Sequence, residues 1–248
     1  MTERRGVCLI PAVIEVSKLT KRYRDHVAIS ELSFKVERGE IVGFLGPNGA
    51  GKSTTMRILT GCLPATSGVA KIAGIDVFDD PMAAKRRIGY LPEIPPVYPD
   101  MTVREYLSFA ARIKGVQGIK AEVQRVAERA GVDHILPRLI ANVSKGYRQR
   151  VGMAMALLGS PEVLILDEPT VGLDPIQIEQ VRRLILELGA TKQHTIILST
   201  HILSEVKATC ERAIIVARGS IAADAKIAEL EAQHGASLET VFTKLAAA

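Results

Sequence analysis

The stretch GPNGAGKST, residues 46–54, limits the chain more than any other. From Gly46 to Ser53 it fits the pattern G-x-x-x-x-G-K-[ST]. The run IVGFLG (41–46) before it is almost continuously apolar, as a strand buried on both faces is. A helical pattern follows, through MRILTGCL. Strand, glycine-rich loop and helix in that order make a phosphate cradle. Gly46, Gly49 and Gly51 let the backbone turn tightly, and successive N–H groups converge on the anion. Pro47, Asn48, Ala50 and Thr54 belong to the same cradle. Lys52 is expected to reach the β- and γ-phosphates of a nucleotide, and Ser53 to ligate Mg²⁺.

VLILDE (163–168) supplies a second half to such a site. An apolar run ending in Asp167 sets a carboxylate at a strand tip, where it can hold Mg²⁺ directly or through water. Glu168 comes one step later. Followed by Pro169 and Thr170, it could be a surface acid capping a helix. Hydrolysis, however, needs a group that orients or deprotonates a water in line with the γ-phosphate, and that role is the favoured reading of Glu168. His201 ends ILSTH, another buried strand. From position alone it is either a structural histidine or a donor to the γ-phosphate. VSKGYRQR (143–150) puts Ser144, Lys145, Gly146, Arg148 and Gln149 at a helix start, whose first N–H groups lack partners within the helix. It reads as a second anion site or as an ordinary Ser-capped helix.

The rest of the chain alternates strands and helices. VIEVSKL (13–19) and VAISELSFKV (27–36) alternate apolar and polar residues like half-exposed antiparallel strands. GVAKIAG is expected to be another exposed strand, and IGYLPE (88–93) a short one before the proline-rich PEIPPVYP. Residues 102–160 read as helical throughout, opened by a capping box in TVRE with Thr102 at the N-cap and Glu105 three residues on. Beyond Pro161, VLILDE, TIILST and RAIIVARG read as buried strands separated by the helices IEQVRRLILELG and LSEVKATC. This is the rhythm of an α/β parallel sheet with a helical insertion.

Composition narrows the function. With 248 residues, 47% hydrophobic and 24% charged, the chain can bury a sizeable core. A net charge of +5 is mild, fits a solvated basic surface, and gives no reason to expect nucleic acid. Cys8, Cys62 and Cys210 share no metal-ligand or CxxC spacing and read as thiols of a reducing compartment. No apolar run approaches the roughly 18 residues of a membrane helix. VCLIPAVI is short, broken by Pro11 and followed by Glu15, so it does not read as a signal peptide. The expectation is a soluble, cytosolic protein that reaches a membrane only through a partner.

The order of these motifs resembles the ATPase subunits of ATP-binding cassette (ABC) transporters, over about residues 13–245. The resemblance implies a P-loop NTPase (RecA-like) core sheet with an antiparallel β subdomain, together about 13–93 and 161–228. It further implies an inserted helical subdomain at about 100–160 and a helical tail at 229–248. Tyr23, in LTKRY, matches the residue that stacks on adenine; GLDP (172–175) resembles the D-loop, with Asp174 at the subunit boundary; His201 aligns with the switch histidine. VSKGYRQR stands at the signature position, so Ser144 and Gly146 would face the γ-phosphate of ATP held by a second chain. The implied ligands are ATP and Mg²⁺. The implied partners are a second cassette, identical or not, and an integral membrane permease, with the ATPase peripheral on the cytoplasmic face.

Two motifs depart from the common family pattern. VSKGY keeps only the Ser and second Gly of LSGGQ, and Glu93 replaces a usual glutamine, where it could act as a charged Mg²⁺ ligand. Both departures, and the segment SLETVFTKL (237–245), are similar to the type-2 exporter branch of drug, lipid and gliding-motility ATPases. The rival is a cytosolic ABC protein acting on ribosomes or nucleic acid, which would usually carry two cassettes or a long coiled coil.

Overall fold

The computed structural model describes residues 12–247; Cys8 and the start of VCLIPAVI lie outside the described residues. Strands β1 (Ala12–Tyr23) and β2 (His26–Glu37) pair antiparallel; β1 buries Ile14, Val16 and Leu19, with a register shift between the last two, and β2 buries alternate residues Leu32, Phe34 and Val36. Strands β4 (Ser67–Ile72) and β5 (Ile75–Asp76) complete this first sheet, in the order β2-β1-β4-β5.

The second sheet carries the site. Its strands are β3 (Ile41–Leu45), β6 (Ile88–Leu91), β7 (Val163–Asp167), β8 (Thr195–Thr200), β9 (Arg212–Ala217) and β10 (Ser220–Lys226), ordered β10-β9-β3-β8-β7-β6. All pairs are parallel except β9 with β10. Here the continuous apolar runs find their reason. Val163 and Ile165 of β7 join the core under the first sheet, while Leu164 and Leu166 join the core under the helices. A strand covered on both faces has no polar side to show.

Helix α1 (Lys52–Leu59) follows the loop after β3 and ends at Leu59, earlier than MRILTGCL implied, because Gly61 turns the chain at φ 64°. Helix α2 (Pro81–Arg87), capped by Asp80, was not expected, and neither was the antiparallel edge strand β10. Residues 102–160 hold three α-helices: α3 (Val103–Ile113), α4 (Ile119–Arg129) and α5 (Lys145–Ala156). The chain between α4 and α5 makes two short 3₁₀ turns (Asp133–Ile135 and Ile140–Asn142), which corrects the reading of that section as helical throughout. The Thr102–Glu105 capping box is present.

Lys114 closes α3 and reaches across to α5. Its ammonium donates to the carbonyls of Met155, Ala156 and Leu158 at 3.4, 3.4 and 3.2 Å. A cation at the carbonyls of a helix C-terminus is favoured by the helix dipole. Helices α6 (Pro175–Ala190) and α7 (Leu203–Thr209) precede and follow β8. The end of the chain forms α8 (Ile227–His234) and α9 (Leu238–Ala247), and α9 buries Leu238 in the core it shares with the helices.

Candidate active site

The parallel strands all end at one edge, where an open α/β sheet leaves a crevice. Register decides what meets there. Leu45 of β3 lies opposite Thr200 of β8, and Asp167 of β7 lies opposite Ser199. The loop after β3, the tip of β7 and the tip of β8 therefore converge.

The loop needs glycine for a specific reason at Gly51. Its φ is 100°, and a Cβ there would stand 2.6 Å from the Ala28 carbonyl oxygen. Lys52, the first residue of α1, is buried and donates to the carbonyls of Gly46 and Pro47 at 2.8 and 3.2 Å. Burial pushes its amine below the usual lysine range, while the carboxylates of Glu168 and Asp167 pull the other way. A lysine closing its own loop, poised between carbonyls and a carboxylate, can exchange those carbonyls for phosphate oxygens.

Ser53 Oγ donates to Asp167 Oδ1 at 3.2 Å, and Ser199 Oγ donates to the same oxygen at 2.8 Å. Burial raises the Asp167 carboxyl above its ordinary value; the two serine hydroxyls act against that rise, and the charges of Glu168 and Glu93 add to it. A carboxyl raised by burial and by neighbouring negative charge suits a cation. Ser53 and Asp167 offer hard oxygen donors side by side, and among the described residues no group of three or more His, Cys, Asp or Glu could hold a metal alone. That fits Mg²⁺, which takes one or two protein oxygens and completes its shell with water and substrate phosphates. Glu93, after β6, is exposed on the rim of the same cleft.

Glu168 turns out of β7 with φ 50°, a left-handed conformation that costs a non-glycine residue about 1–3 kcal/mol. Its N–H donates to the Ser199 carbonyl at 2.8 Å, which holds the turn. The residue is buried, 6% exposed. Its carboxylate meets His201 Nδ1 at 2.9 and 3.0 Å and lies 3.7 Å from Lys52 Nζ. The open strand end, the strained turn and the two cationic or donor neighbours aim one carboxylate at the phosphate cradle.

Lys52, with Asn48, Gly49, Gly51, Ser53 and Thr54 of the loop, and Glu93, Glu168 and His201 line a cleft of about 520 Å³. Tyr23 stands at its mouth, 42% exposed, with Lys21 Nζ 5.1 Å from the ring centroid. A flat, accessible ring beside a phosphate loop can stack on a base.

The remaining expected residues sit elsewhere. Among the described residues, Ser144, Gly146 and Asp174 do not line this cleft. Ser144 caps α5, its Oγ accepting from Tyr147 N at 3.5 Å, and Asp174 caps α6, accepting from Gln177 N at 2.9 Å. The two helix starts touch. A Cβ on Gly146 would fall 2.1 Å from Gln177 Oε1, and one on Gly172 would fall 2.1 Å from Lys145 Nζ. Together they form one surface outside this cleft.

Sequence reasoning missed Ser199, Glu205 and His26. Ser199 was findable, as a hydroxyl one place before the end of a buried strand. His26 lines the cleft only because the tight β1–β2 turn brings it there.

The family model described as ABC transporter matches residues 29–171, more than half of the chain. The chain belongs to the ABC transporter family. It is an ATP-binding subunit and an ATPase of that family. It is 40% identical over 227 residues to the bacitracin transport ATP-binding protein BcrA of Bacillus licheniformis, covering 92% of this chain and 74% of that one. It is 34% identical over 238 residues to the Nod factor export ATP-binding protein I of Burkholderia orbicola (strain AU 1054), covering 93% and 77%. A solved structure titled as the ATP binding subunit of an ABC transporter superposes with a TM-score of 0.85 at 33% identity, covering 94% of this chain and 99% of that one. Among the described residues of the ABC ATPase, no helix is long and apolar enough to cross a membrane.

Proposed function

We propose that two copies of this ATPase close head to tail over two ATP molecules, hydrolyse them, and so drive a separate membrane permease in export. One observation carries the reading. Lys52, Ser53, Glu168 and His201 line one cleft, with the buried Asp167 hydrogen-bonded to Ser53, while the exposed Ser144 at the start of α5, with Gly146 packed against Gln177 beside it, stands outside that cleft. A cleft with a cradle and a base on one chain, and a capped helix start on another, make one complete site only across a dimer.

Within that site the adenine stacks on Tyr23 and the triphosphate lies along residues 46–54. Lys52 leaves the Gly46 and Pro47 carbonyls for the β- and γ-phosphate oxygens. Ser53 and Asp167 would hold Mg²⁺, with Glu93 at the rim; when bound, the ion neutralises phosphate charge. Glu168 accepts a proton from the water that attacks the γ-phosphorus, ADP departs, and phosphate is released. His201 holds the carboxylate on line. The partner's copy of the α5 start, with Ser144 and Gly146, donates to the γ-phosphate oxygens, and Asp174 stands at the boundary between chains.

Hydrolysis reopens the dimer, and the helices of residues 102–160 with the loop after Glu93 pass the motion to the permease. That partner places the ATPase at the cytoplasmic face of the membrane. Export is supported by the similarity to the Nod factor export protein, and the cargo is set by the permease. Glu168→Gln tests the chemistry. ATP binding should persist, turnover should fall by at least about a hundredfold, and size-exclusion with Mg-ATP should show an accumulated dimer. Undiminished turnover in that variant refutes Glu168 as the base.

A further inference from the structure

Glu205 is a buried acid outside the nucleotide cleft. It lies in α7 at 4% exposure, and both of its carboxylate oxygens are occupied by hydroxyls from two other segments. Thr170 Oγ1 donates to Oε1, and Thr200 Oγ1 donates to Oε2 at 3.4 Å. Thr170 lies two residues beyond Glu168, and Thr200 immediately precedes His201. The Thr200 hydroxyl also accepts from Ile202 N at 3.1 Å, so it bridges the turn that carries His201.

We propose that Glu205 is a positioning residue for hydrolysis, its carboxylate fastening the turn after Glu168 to the turn around His201. The inference rests on the roles given above to Glu168 and His201. Two further contacts run between the same segments: Glu168 N to the Ser199 carbonyl at 2.8 Å, and Glu168 Oε1 to His201 Nδ1 at 2.9 Å. Glu205 supplies the third, from behind. With all three, neither turn can shift without the other.

Stability alone does not account for this acid. Burying a carboxylate among neutral hydroxyls costs more than burying a leucine of similar size. Burial indeed raises the Glu205 carboxyl above its usual range, partly offset by the Thr170 hydroxyl, while the Glu168 charge pushes it further up. What an apolar side chain cannot do is hold two hydroxyls at fixed places. Both hydroxyls are themselves buried, Thr170 at 4% and Thr200 at 0%, so each would lose the carboxylate acceptor it now has.

The test compares Glu205→Gln, Glu205→Leu and Thr170→Val with the unaltered protein and with Glu168→Gln, in steady-state Mg-ATP hydrolysis with the permease present. Glu205→Leu and Thr170→Val should lose kcat by about ten- to a hundredfold, the size of effect an ångström of misplacement brings. KM for ATP should stay within about twofold, since the cradle is untouched. Glu205→Gln keeps a carbonyl acceptor and should recover most of the loss. The Glu205→Leu, Thr170→Val double variant should lose no more than Glu205→Leu alone. Unchanged kcat in Thr170→Val overturns the proposal, as do kcat, ATP affinity and Tm falling together without recovery in Glu205→Gln. If Glu205→Leu does not fold, Thr170→Val and Glu205→Gln decide the matter between them. If Glu168→Gln stops turnover while Thr170→Val does not affect it, Glu205 fails and the hydrolysis reading stands. Full turnover in Glu168→Gln overturns both.

Discussion

His201 Nδ1 lies 2.9 Å from Glu168 Oε1, at the tips of two neighbouring parallel strands. A carboxylate that is ionised can only accept, so this contact is a hydrogen bond in the tautomer of His201 that carries its proton on Nδ1. The pairing fixes the direction of a side chain that leaves β7 through a left-handed turn. Removing it should leave Glu168 with Lys52, 3.7 Å away, as its nearest ionic partner. His201→Ala is expected to lower kcat by about ten- to a hundredfold while nucleotide binding, followed by fluorescence of a labelled ATP, stays close to that of the unaltered protein. Equal loss of binding and turnover would mean that His201 supports the cradle rather than the base.

Gly146 offers a different kind of test, because its methyl variant should fold. The atoms a Cβ would meet belong to the far end of the Gln177 side chain, which can swing aside. Gly146→Ala should therefore unfold in urea within about 1 kcal/mol of the parent protein. Its turnover should drop on the dimer reading, since the methyl and the displaced Gln177 amide crowd the helix start that the partner's phosphate would approach. Retained turnover at full rate would show that no phosphate comes close to this backbone.

Lys114 links stability to pH. Burial lowers its amine from the usual 10.5 to about 8, with Glu122 opposing the shift. The unfolded chain then binds the proton more tightly than the fold does. The whole cost of burying the charge is present below pH 8, and stability gains as pH rises from about 8 to 10.5. Lys114→Met lacks this contribution. Between about pH 7.5 and pH 10, the unaltered protein should gain on the order of 2 kcal/mol relative to the variant in urea unfolding. A constant difference across that range would place the charged amine in water.

Glu93→Gln restores the residue more usual in the family and removes a negative charge whose field reaches Asp167 and Lys52. Hydrolysis should continue with a weaker dependence on Mg²⁺ concentration. An unchanged Mg²⁺ titration would put Glu93 toward solvent or the permease.

Much of the site was legible because it is local. The stretch 46–54 and the run ending in Asp167–Glu168 each carry their chemistry within a few residues, and apolar runs before them marked the strands. Ser53 and Asp167, 114 residues apart, were each read as Mg²⁺ ligands from such local patterns, and the fold brings them within 3.2 Å. Glu205 was not, because its partners Thr170 and Thr200 come from separate segments, and a Glu in LSEVKATC looks like any exposed helix acid. Strand β10 escaped for a similar reason. SIAADAK alternates small and polar residues with no strong apolar face, and only pairing with β9 makes it a strand. The turns between α4 and α5 read as helix because Leu136, Ile140 and Val143 are spaced like a helical face, yet they are buried by packing between helices.

The central claim is that Ser144 and Gly146 complete the ATP site of another chain, and mixed dimers test it most directly. One variant carries Lys52→Ala and the other Ser144→Arg. Each homodimer should be inactive, because both of its sites lack one half. In the mixed dimer one site takes both lesions, while the other joins an intact cradle to an intact α5 start. Single-turnover hydrolysis, measured with the permease present and mixed dimers verified by two-tag pull-down, should reappear at about half of the sites in each mixed dimer. If pulled-down mixed dimers hydrolyse no ATP in that single turnover, the helix start and the cradle act within one chain and the account is wrong.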